Sequence, residues 1–588
     1  IRRPPRSTQS RSSAASDVYK RQHLTASQER VEAGLATGAG WNRFPIYWYD
    51  IEPRDNRYNW AEYDRVVRED VISGLGTDAI LLGAPPFAAD SRGVPTGLYE
   101  PVFADGSDTP GPGKTINADN PWAEFVYTVV RRYKPGGVRA LAEGWPSGQG
   151  VRVWEIWNEP DFSLFWRGSV DEYARLLKVA YLAGRHADPQ AQIMLGGLML
   201  FEQPGFLIDL LNVFKNDPHP VAGTYPFHMV ALHTYSHPYD TFSAVQRTGN
   251  LLAIYGIGDR PIWVNESGVA VWDDYPGPDW ASRADQIMWR ATQEEQASYV
   301  IQSAAYAFMA GADVVFHFQL YDDCGNQPNG TTFAPHDGSL CNSGVVCWGD
   351  ALGLIRNGRD NACFNQHPQP NTPRPAYAAF RIVGDIFGTG DLVPLSASRG
   401  PNGDQIWLTF ARPSSGELIT VLWNESGLAS EAVIPSRSAE ATLIAPDGTQ
   451  TPIQPGEDGA YHILLEPATN RNQVPGAYSG YMIGGTPVIL VERSETPVVS
   501  IVPLLERSRP AFLLRWQSSD PTLVRYEVWY RDESSGGDWA RWFETDRPGE
   551  ALFVGGSGRT YSFFARGMAA DGTWTADQPF VQARTTID

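Results

Sequence analysis

The sequence predicts an α/β fold in which a (β/α)8 barrel, the TIM barrel, is followed by two β-sandwich modules. Over residues 23–390, short apolar runs alternate with helical patterns, as a series of βα units requires. Beyond residue 390 the pattern changes to short alternating strands separated by Gly, Pro, Asn and Asp. The chain has 588 residues, which is too many for one compact core, so we expect several domains.

Seven strands of the barrel can be placed from their apolar runs. They are predicted at residues 41–49, 78–83, 151–157, 192–198, 229–233, 262–265 and 314–319. Helices are predicted at residues 25–37, 60–75 and 374–387, and the last of these completes the barrel. In an eight-stranded barrel the seven strands are the second to the eighth, so a first strand should precede the helix at 25–37.

Residues 1–22 look foreign to this fold. They have no apolar periodicity, no signal-peptide core and no initiating Met. We interpret them as translated adapter sequence fused to a gene fragment; the alternative is a natural, disordered basic tail. On the first interpretation the native first strand and any export signal are missing. A barrel without one strand has open edges, which favour aggregation.

Charge and hydropathy limit the possible partners. The formal net charge of −20 disfavours nucleic acid and anionic membranes, and 42% hydrophobic residues indicate a folded chain. No apolar run reaches the roughly 18 residues that cross a bilayer. We therefore predict no nucleic-acid partner and no membrane span.

Two of the predicted strands deliver a carboxylate to their C-terminal ends. V-R-V-W-E-I-W-N-E-P-D carries Asn158 and Glu159, and P-I-W-V-N-E-S-G carries Glu266. Those strand ends are where such a barrel builds its active site, and two carboxyl groups flanking the scissile bond are what glycoside hydrolysis needs. We predict that Glu159 is the acid/base, with a pKa raised by burial and a neighbouring carboxylate. Glu266 is then the ionised nucleophile.

The order of these motifs resembles clan A of the glycoside hydrolases. In that clan the acid/base Glu follows an Asn at the end of strand four and the nucleophile ends strand seven, as Asn158, Glu159 and Glu266 do. The stretches W-N-E-P-D-F-S-L-F-W and A-Q-I-M-L-G-G-L are most similar to family 39, the β-xylosidase and α-L-iduronidase relatives. The resemblance implies a retaining enzyme. Retention needs carboxyl groups about 5 Å apart, whereas inversion needs roughly 6.5–9.5 Å.

The same resemblance suggests residues that surround the carboxylates. Arg43 matches an Arg that steadies the nucleophile in related enzymes; the alternative is a buried ion pair with Glu155, and both can hold. His233 and Tyr235 end the sixth strand, where clan members contact the nucleophile or the sugar. A purely structural role is the alternative for His233, but its place at the catalytic end of a strand favours function.

Aromatic and polar residues on the late strands are further candidates for substrate binding. His317 and Gln319 lie on strand eight, where many clan members carry a sugar-stacking Trp that this chain lacks. Other Trp residues could supply the platforms, because aromatic faces pack against sugar C–H surfaces. The candidates are Trp48, Trp157, Trp166, Trp272 and Trp348. Of these, Trp272 is our prediction for a substrate-binding residue, since loops after barrel strands carry function.

Four cysteines fall in one irregular segment after strand eight. They are Cys324, Cys341, Cys347 and Cys363. An even number clustered in a Gly/Asn/Pro-rich loop predicts two disulfides, in any of three pairings, and an oxidising compartment. A zinc site is the alternative, but the segment has no C-x-x-C pair and no regular ligand spacing.

Two accessory modules follow the barrel at residues 391–493 and 497–588. The first is a predicted β-sandwich with strands at 405–411, 417–423, 439–444, 461–466 and 487–492. The second contains F-L-L-R-W-Q-S-S-D, V-R-Y-E-V-W-Y-R and Y-S-F-F-A-R-G-M-A, an order that resembles a fibronectin type III module. The resemblance implies a spacer or a partner-binding unit, and glycan binding cannot be read from a fold alone.

Together these features predict a secreted, extracellular, retaining glycoside hydrolase that cleaves β-linked, xylose- or glucose-type bonds. We expect a carbohydrate substrate and no metal or organic cofactor. A metal-dependent hydrolase is disfavoured because no H-x-H pair ends an early strand and the His residues are dispersed. One alternative is an endo-acting clan A β-glucanase or mannanase. Another is a non-catalytic carbohydrate-binding or scaffold protein, which the presence of both glutamates disfavours. The oligomeric state is left open.

Overall fold

The structure is a computed structural model of the chain. It describes the backbone of residues 15–17 and residues 28–221, 223–274, 289–322, 351–356, 369–471, 480–494 and 496–588. The predicted disulfide cysteines and Trp348 lie outside the described residues.

Eight parallel strands form a closed barrel, which confirms the predicted fold class. The strands are β1 (Ala15–Asp17), β2 (Trp41–Tyr47), β3 (Gly76–Leu82), β4 (Val153–Ile156), β5 (Gln192–Leu198), β6 (Met229–Tyr235), β7 (Ile262–Gly268) and β8 (Val314–Phe318). All seven strands placed from apolar runs are present. Strand β1 lies within residues 1–22, where the sequence shows no apolar pattern, and it pairs with both β2 and β8. The origin of residues 1–22 stays a prediction.

The inside of the barrel is layered. Apolar side chains fill the end at which the strands begin; they are Val153, Met194, Met229, Ala231, Trp263, Val314 and Phe316. Side chains alternate along a strand, so residues two positions further on also point inward. On β4 and β6 these are Glu155 and His233, both buried. A polar layer therefore lies above the apolar one, towards the C-terminal ends of the strands.

Helices cover the outside of the barrel. Those of the described residues are α1 (Gln28–Leu35), α2 (Trp48–Ile51), α3 (Ala61–Ser73), α4 (Pro121–Tyr133), α5 (Val138–Glu143), α6 (Val170–Ala187), α7 (Phe206–Lys215), α8 (Pro238–Ile254), α9 (Gln293–Ala310) and α10 (Pro375–Phe387). Capping boxes begin α6 at Ser169 and α9 at Thr292, where each hydroxyl accepts the backbone N–H three residues on. Within these ranges, no helix is long and apolar enough to span a membrane.

The first accessory module is a β-sandwich packed on the barrel. Its strands are β9 (Val393–Arg399), β10 (Gln405–Arg412), β11 (Glu417–Asn424), β12 (Ser430–Pro435), β13 (Ala441–Ile444), β14 (Gln450–Ile453), β15 (Ala460–Leu465) and β16 (Val488–Arg493). A six-stranded sheet has the order β14-β13-β16-β11-β10-β9, and β12 pairs with β15. Gln302 on α9 donates to the Gly485 carbonyl and accepts from the Gly484 N–H at 2.9 and 3.1 Å. Helix α9 is thus buried on almost every side, between barrel and sandwich.

The second module is also a two-sheet sandwich. Its strands are β17 (Val499–Ile501), β18 (Arg507–Ser508), β19 (Ala511–Ser518), β20 (Arg525–Asp532), β21 (Ala540–Thr545), β22 (Gly549–Val554), β23 (Thr560–Met568) and β24 (Ala583–Ile587). One sheet has the order β17-β19-β22, and the other has the order β18-β24-β23-β20-β21. Arg515 donates to the Ala310 carbonyl at the end of α9, and Gln246 on α8 donates to the Pro503 carbonyl. The module therefore docks on the barrel; its likeness to fibronectin type III stays a prediction.

Candidate active site

Both predicted catalytic glutamates lie at the C-terminal ends of barrel strands. Glu159 follows β4 by three residues, and Glu266 lies near the end of β7. Both are nearly inaccessible, at 5% and 4% exposure. One carboxylate oxygen of each lies within 4.8 Å of the other, and both lie within the same distance of a nitrogen of His233. The strands thus bring together carboxylates that are 107 residues apart in the sequence.

The backbone that presents Glu159 is strained. Trp157 and Glu159 have φ angles of 67° and 43°, in the left-handed region that non-Gly residues rarely adopt. The Trp157 N–H donates to the Leu81 carbonyl on β3 and its indole N–H to the Phe165 carbonyl, both at 2.9 Å. Strain of this kind persists only where surrounding contacts fix the chain, and it clusters at functional sites. The segment after β4 is therefore built to hold one carboxyl group in one place.

Glu266 is surrounded by hydrogen-bond donors. Arg43 Nη1 donates to Oε1 at 2.6 Å, the Tyr235 hydroxyl donates to Oε2, and His233 Nδ1 lies 3.4 Å from Oε2. Burial by itself would raise the pKa of Glu266, but the charges of His233 and Arg43 outweigh it and lower that pKa. Glu266 is therefore held ionised and in a fixed orientation.

Arg43 connects the nucleophile candidate to the rest of the polar layer. Its Nε and Nη2 donate to the two oxygens of Glu155 at 2.7 and 3.0 Å, and Nη2 also donates to Asn158 Oδ1 at 3.0 Å. The side chain is fully buried. Arg43 thus makes both contacts that the sequence suggested, the ion pair with Glu155 and the hydrogen bond to Glu266. A guanidinium suits this position because its donors form a rigid planar fork.

Glu159 has a different environment. Its Oε1 lies 2.7 Å from His233 Nδ1. Burial, together with the charge of Glu266, raises the pKa of Glu159 against the opposing effect of His233. For His233 itself burial favours the neutral ring, but the charge of Glu266 and the hydrogen bond to Glu159 raise its pKa. A proton is therefore held between His233 and Glu159 rather than on Glu266.

The cluster contains more carboxyl groups than fixed cations. We call the set Arg43, Asp78, Glu155, Glu159, Glu266 and His233 the Arg43 cluster. Asp78 Oδ2 lies 3.6 Å from Arg43 Nε, and Asn265 Nδ2 donates to both Asp78 and Glu155, at 3.3 and 2.9 Å. Among the described residues of the cluster, four carboxyl groups lie around one guanidinium. The raised pKa values of Glu159 and His233 place a proton on that pair.

Two residues that complete the site escaped the sequence analysis. A Cβ at Gly197 on β5 would lie 2.0 Å from His233 Nε2, so only glycine leaves room for this imidazole. The backbone N–H of Gly197 donates to Glu155 Oε1 at 2.8 Å. Asp161 accepts the Met199 and Leu200 N–H groups at 3.2 and 2.6 Å, which ties the loop after β5 to the segment of Glu159. The G-G pair and the W-N-E-P-D motif were visible in the sequence, but their partners were not.

The trio Glu159, His233 and Glu266 also has the spacing of a metal site, with one ligand atom from each within 4.8 Å. Hydrogen bonds from Arg43 and Tyr235 already use both oxygens of Glu266, and Arg43 adds a permanent positive charge. A cation would have to displace these donors and approach a guanidinium. The residues therefore fit a metal ion poorly, and the expectation that the protein uses no metal stays a prediction.

The remaining substrate-binding candidates lie apart from the Arg43 cluster or at its edge. His317 points away from the barrel axis: its ring lies 5.9 Å from Phe380 on α10, and burial lowers its pKa to about 4. This outward orientation corrects its predicted role, because alternate residues of β8 face opposite sides. Gln319 is fully buried just after β8, and its amide has no hydrogen-bond partner among the described residues. Trp272, half-buried in the loop after β7, likewise has an indole N–H without a partner among those residues.

Three other aromatic candidates serve the core. Trp48, Trp157 and Trp166 are at most 5% exposed. Trp48 stacks on Phe125 of α4 at 5.0 Å, and Trp157 packs edge-on against Trp166 at 5.3 Å. Their faces are covered by other side chains, so they support the loops at the barrel mouth from below.

Comparison with known proteins gives distant likenesses. No family model matches the chain, and no curated protein matches it. The likeness to family 39 therefore stays a prediction. Among solved structures, a glucosidase from Croceicoccus marinus is 13% identical, with 92% of this chain and 90% of that chain covered and a TM-score of 0.40. A family 51 α-L-arabinofuranosidase from Bifidobacterium longum is 11% identical over 82% of this chain and 96% of that chain, with a TM-score of 0.48. A β-glycosidase from Pyrococcus horikoshii is 15% identical over 63% of this chain and 85% of that chain, with a TM-score of 0.37. At these values the likeness assigns neither a family nor a substrate to this chain.

Proposed function

We propose that the protein is a retaining glycoside hydrolase that cleaves β-linked, xylose- or glucose-type bonds by double displacement. One observation carries the proposal: two buried carboxyl groups at the mouth of the barrel have oxygens within 4.8 Å of each other and opposite pKa shifts. Titratable pairs whose environments drive their pKa values apart mark an acid and a base. Their short separation favours retention, since inversion needs room for a water between them.

In the first step, a Glu266 oxygen attacks the anomeric carbon while Glu159 transfers its proton to the glycosidic oxygen. The C–O bond to the leaving group breaks, the leaving group departs as an alcohol, and a glycosyl ester forms on Glu266. Tyr235 and Arg43 hold the attacking carboxylate in place and keep it ionised until it reacts.

In the second step, Glu159 takes a proton from water as the water oxygen attacks the anomeric carbon and Glu266 leaves as a carboxylate. The charges of the cluster support this change of role. The negative charge of Glu266 is one cause of the raised pKa of Glu159, and the ester carries no such charge. The pKa of Glu159 should therefore fall in the intermediate, which turns the acid into a base.

Hydrolysis of 4-nitrophenyl β-glycosides tests the proposal. The panel comprises the xyloside, glucoside, galactoside and mannoside, with the α-arabinoside beside them and the Glu266→Gln variant as the control for contaminating activity. We expect turnover of one or two β-glycosides, with the product released in the β configuration when followed by proton NMR. Release of the α anomer would contradict retention. If no aryl glycoside is hydrolysed but a β-glucan or mannan is, the endo-acting alternative is favoured.

A further inference from the structure

We propose that Leu164 and Phe201 form the subsite for the leaving group of the substrate, a sugar residue whose C–H face packs on them. The inference rests on the proposed function and deepens it. Both residues lie in loops at the C-terminal end of the barrel, Leu164 in the loop after β4 and Phe201 in the loop after β5. Strands β4 and β5 are paired neighbours, so these loops are adjacent.

Hydrogen bonds fix the two loops against each other. The Ser163 N–H donates to Glu202 Oε2 at 2.8 Å, and each of these residues is next in sequence to one of the proposed pair. Asp161 makes the second link through the Leu200 N–H at 2.6 Å. On the other side of Leu164, the Phe165 carbonyl accepts the indole N–H of Trp157. The backbone is therefore anchored on both sides of Leu164 and just before Phe201, and the Glu202 side chain ties the residue after Phe201 to the other loop.

The anchored loops nevertheless expose their apolar side chains. Phe201 is 79% exposed and Leu164 66%, and Phe201 is the most exposed large apolar residue within the described residues. A flexible loop could bury such side chains by collapsing, whereas hydrogen bonds hold these loops in place. Exposed apolar side chains on a fixed backbone, in neighbouring loops at the catalytic end of a barrel, are typical of a binding surface.

The geometry of the reaction identifies the occupant. The nucleophile attacks the anomeric carbon from the side opposite the leaving group, and the acid must reach the leaving oxygen. The leaving group therefore lies on the Glu159 side of the bond, towards β4 and its neighbours, away from Glu266 on β7. Leu164 is five residues beyond Glu159, a path of at most about 18 Å. The turn closed by the Phe162 N–H and the Glu159 carbonyl shortens that path. This distance is within reach of the first or second sugar after the cleaved bond.

Two probes that share one sugar but differ in leaving group test the subsite. β-Xylobiose leaves a sugar on the Glu159 side, whereas β-xylosyl fluoride leaves only fluoride; the corresponding glucose probes replace them if the aryl glycosides identify glucose. In the full chain with Phe201→Ser and Leu164→Ser combined, we expect the ratio of kcat/KM for the disaccharide to kcat/KM for the fluoride to fall about ten-fold. Leu428→Ser, at a site 78% exposed in the first sandwich, is the matched control and should not change that ratio.

The other outcomes separate this inference from the proposed function. A wild-type protein that hydrolyses both probes, with an unchanged ratio in the double variant, would overturn the subsite and leave the hydrolase intact. A lower molecular mass of the variant in solution, with the ratio unchanged, would assign the surface to self-association and overturn it too. A folded wild-type protein inactive on both probes and on the aryl glycosides would overturn the proposed function and the subsite together.

Discussion

The barrel mouth and the loops beside it each contain a buried arginine bound to carboxylates, and the two clusters differ in charge. In the Arg43 cluster, one guanidinium faces four carboxyl groups. In the second, which we call the Arg374 cluster, Arg374 and Arg356 face Asp274 and Asp322. The Arg374 guanidinium donates two hydrogen bonds to the Asp322 carboxylate, at 2.8 and 2.6 Å, and a third to the Gly353 carbonyl. Among the described residues, the second cluster is balanced and the first carries a surplus of negative charge.

This difference in charge bears on the role of each cluster. A balanced buried ion pair satisfies its own charges, so it fixes loops but holds no proton to transfer. In the Arg43 cluster, by contrast, two carboxyl groups with oxygens within 4.8 Å of each other have pKa values shifted in opposite directions. That pair marks the Arg43 cluster as the place for chemistry. Substitutions at matching positions of the two clusters test this distinction.

The largest effect is expected for Glu266→Gln, because the amide cannot form the glycosyl ester. We expect kcat to fall by roughly 10^5-fold with the protein still folded. Asp322→Asn makes the same chemical change in the Arg374 cluster. Its activity per folded molecule, from initial rates corrected for the folded fraction by circular dichroism, should stay close to wild type. Equal losses in both variants would remove the distinction between the clusters.

Glu159→Gln should have the next largest effect, since it removes the proton donor but leaves the nucleophile. We expect a loss of roughly 10²–10⁴-fold for substrates with poor leaving groups. The loss should be much smaller for the first step with 2,4-dinitrophenyl glycosides, which need little protonation. Burst kinetics on both substrate types measure this contrast. A loss independent of the leaving group would assign Glu159 a positioning role instead.

Arg43→Met and Arg374→Met compare the two guanidinium groups directly. Each leaves buried carboxylates uncompensated, so each should lower the free energy of unfolding of the barrel by about 3–5 kcal/mol. Only Arg43→Met should also lower the activity of the folded fraction, by roughly 10²–10³-fold, because Arg43 holds the attacking carboxylate. Chemical denaturation and kcat/KM, measured in parallel, separate stability from catalysis. A comparable activity loss in folded Arg374→Met would contradict the structural role of that cluster.

The smallest expected effect is the dependence of kcat/KM on pH. The pKa of Glu266 is lowered and that of Glu159 is raised from the ordinary glutamate value of 4.5, so kcat/KM should be highest between the two folded values. Below that window Glu266 gains a proton and cannot attack; above it Glu159 loses the proton it must donate. Activity should fall about ten-fold per pH unit outside the window. In Glu159→Gln, assayed with a 2,4-dinitrophenyl glycoside, the fall at high pH should disappear; its persistence would point to another acid.

The same shifts predict the contribution of each group to stability. The folded pKa of Glu266 is lowered, so its contribution is present above pH 4.5 and is lost as the pH falls through the folded value. The folded pKa of Glu159 is raised, so its contribution is complete below pH 4.5 and is lost as the pH rises through the folded value. The two glutamates therefore favour opposite ends of the pH range, as their two roles require.

Much of the site follows from alternation along strands that the sequence reveals. The run V-W-E-I-W-N-E places Glu155 inward beside Arg43, because apolar runs fix which residues face the core. Glu266 departs from this alternation, since Trp263 and Asn265 are the inward residues of β7 and the register between β6 and β7 shifts just before Glu266. Contacts between distant segments could not be predicted this way. Two such contacts leave no pattern in the nearby sequence. Gly197 leaves space for His233, and Asp161 accepts a hydrogen bond from the Leu200 N–H in the loop after β5. Strand β1 was missed because its pairing with β2 and β8 is not matched by an apolar pattern.

The most direct test of the account is to trap the covalent intermediate. A 2-deoxy-2-fluoro glycoside of the sugar that the protein hydrolyses, with a dinitrophenyl leaving group, should inactivate it with one label per chain. After proteolysis, mass spectrometry should place that label on the peptide containing Glu266, and Glu266→Gln should remain unlabelled. A label on Glu155 or Glu159, or turnover without any covalent adduct and with inversion at the anomeric carbon, would contradict the assignment of Glu266 as the nucleophile.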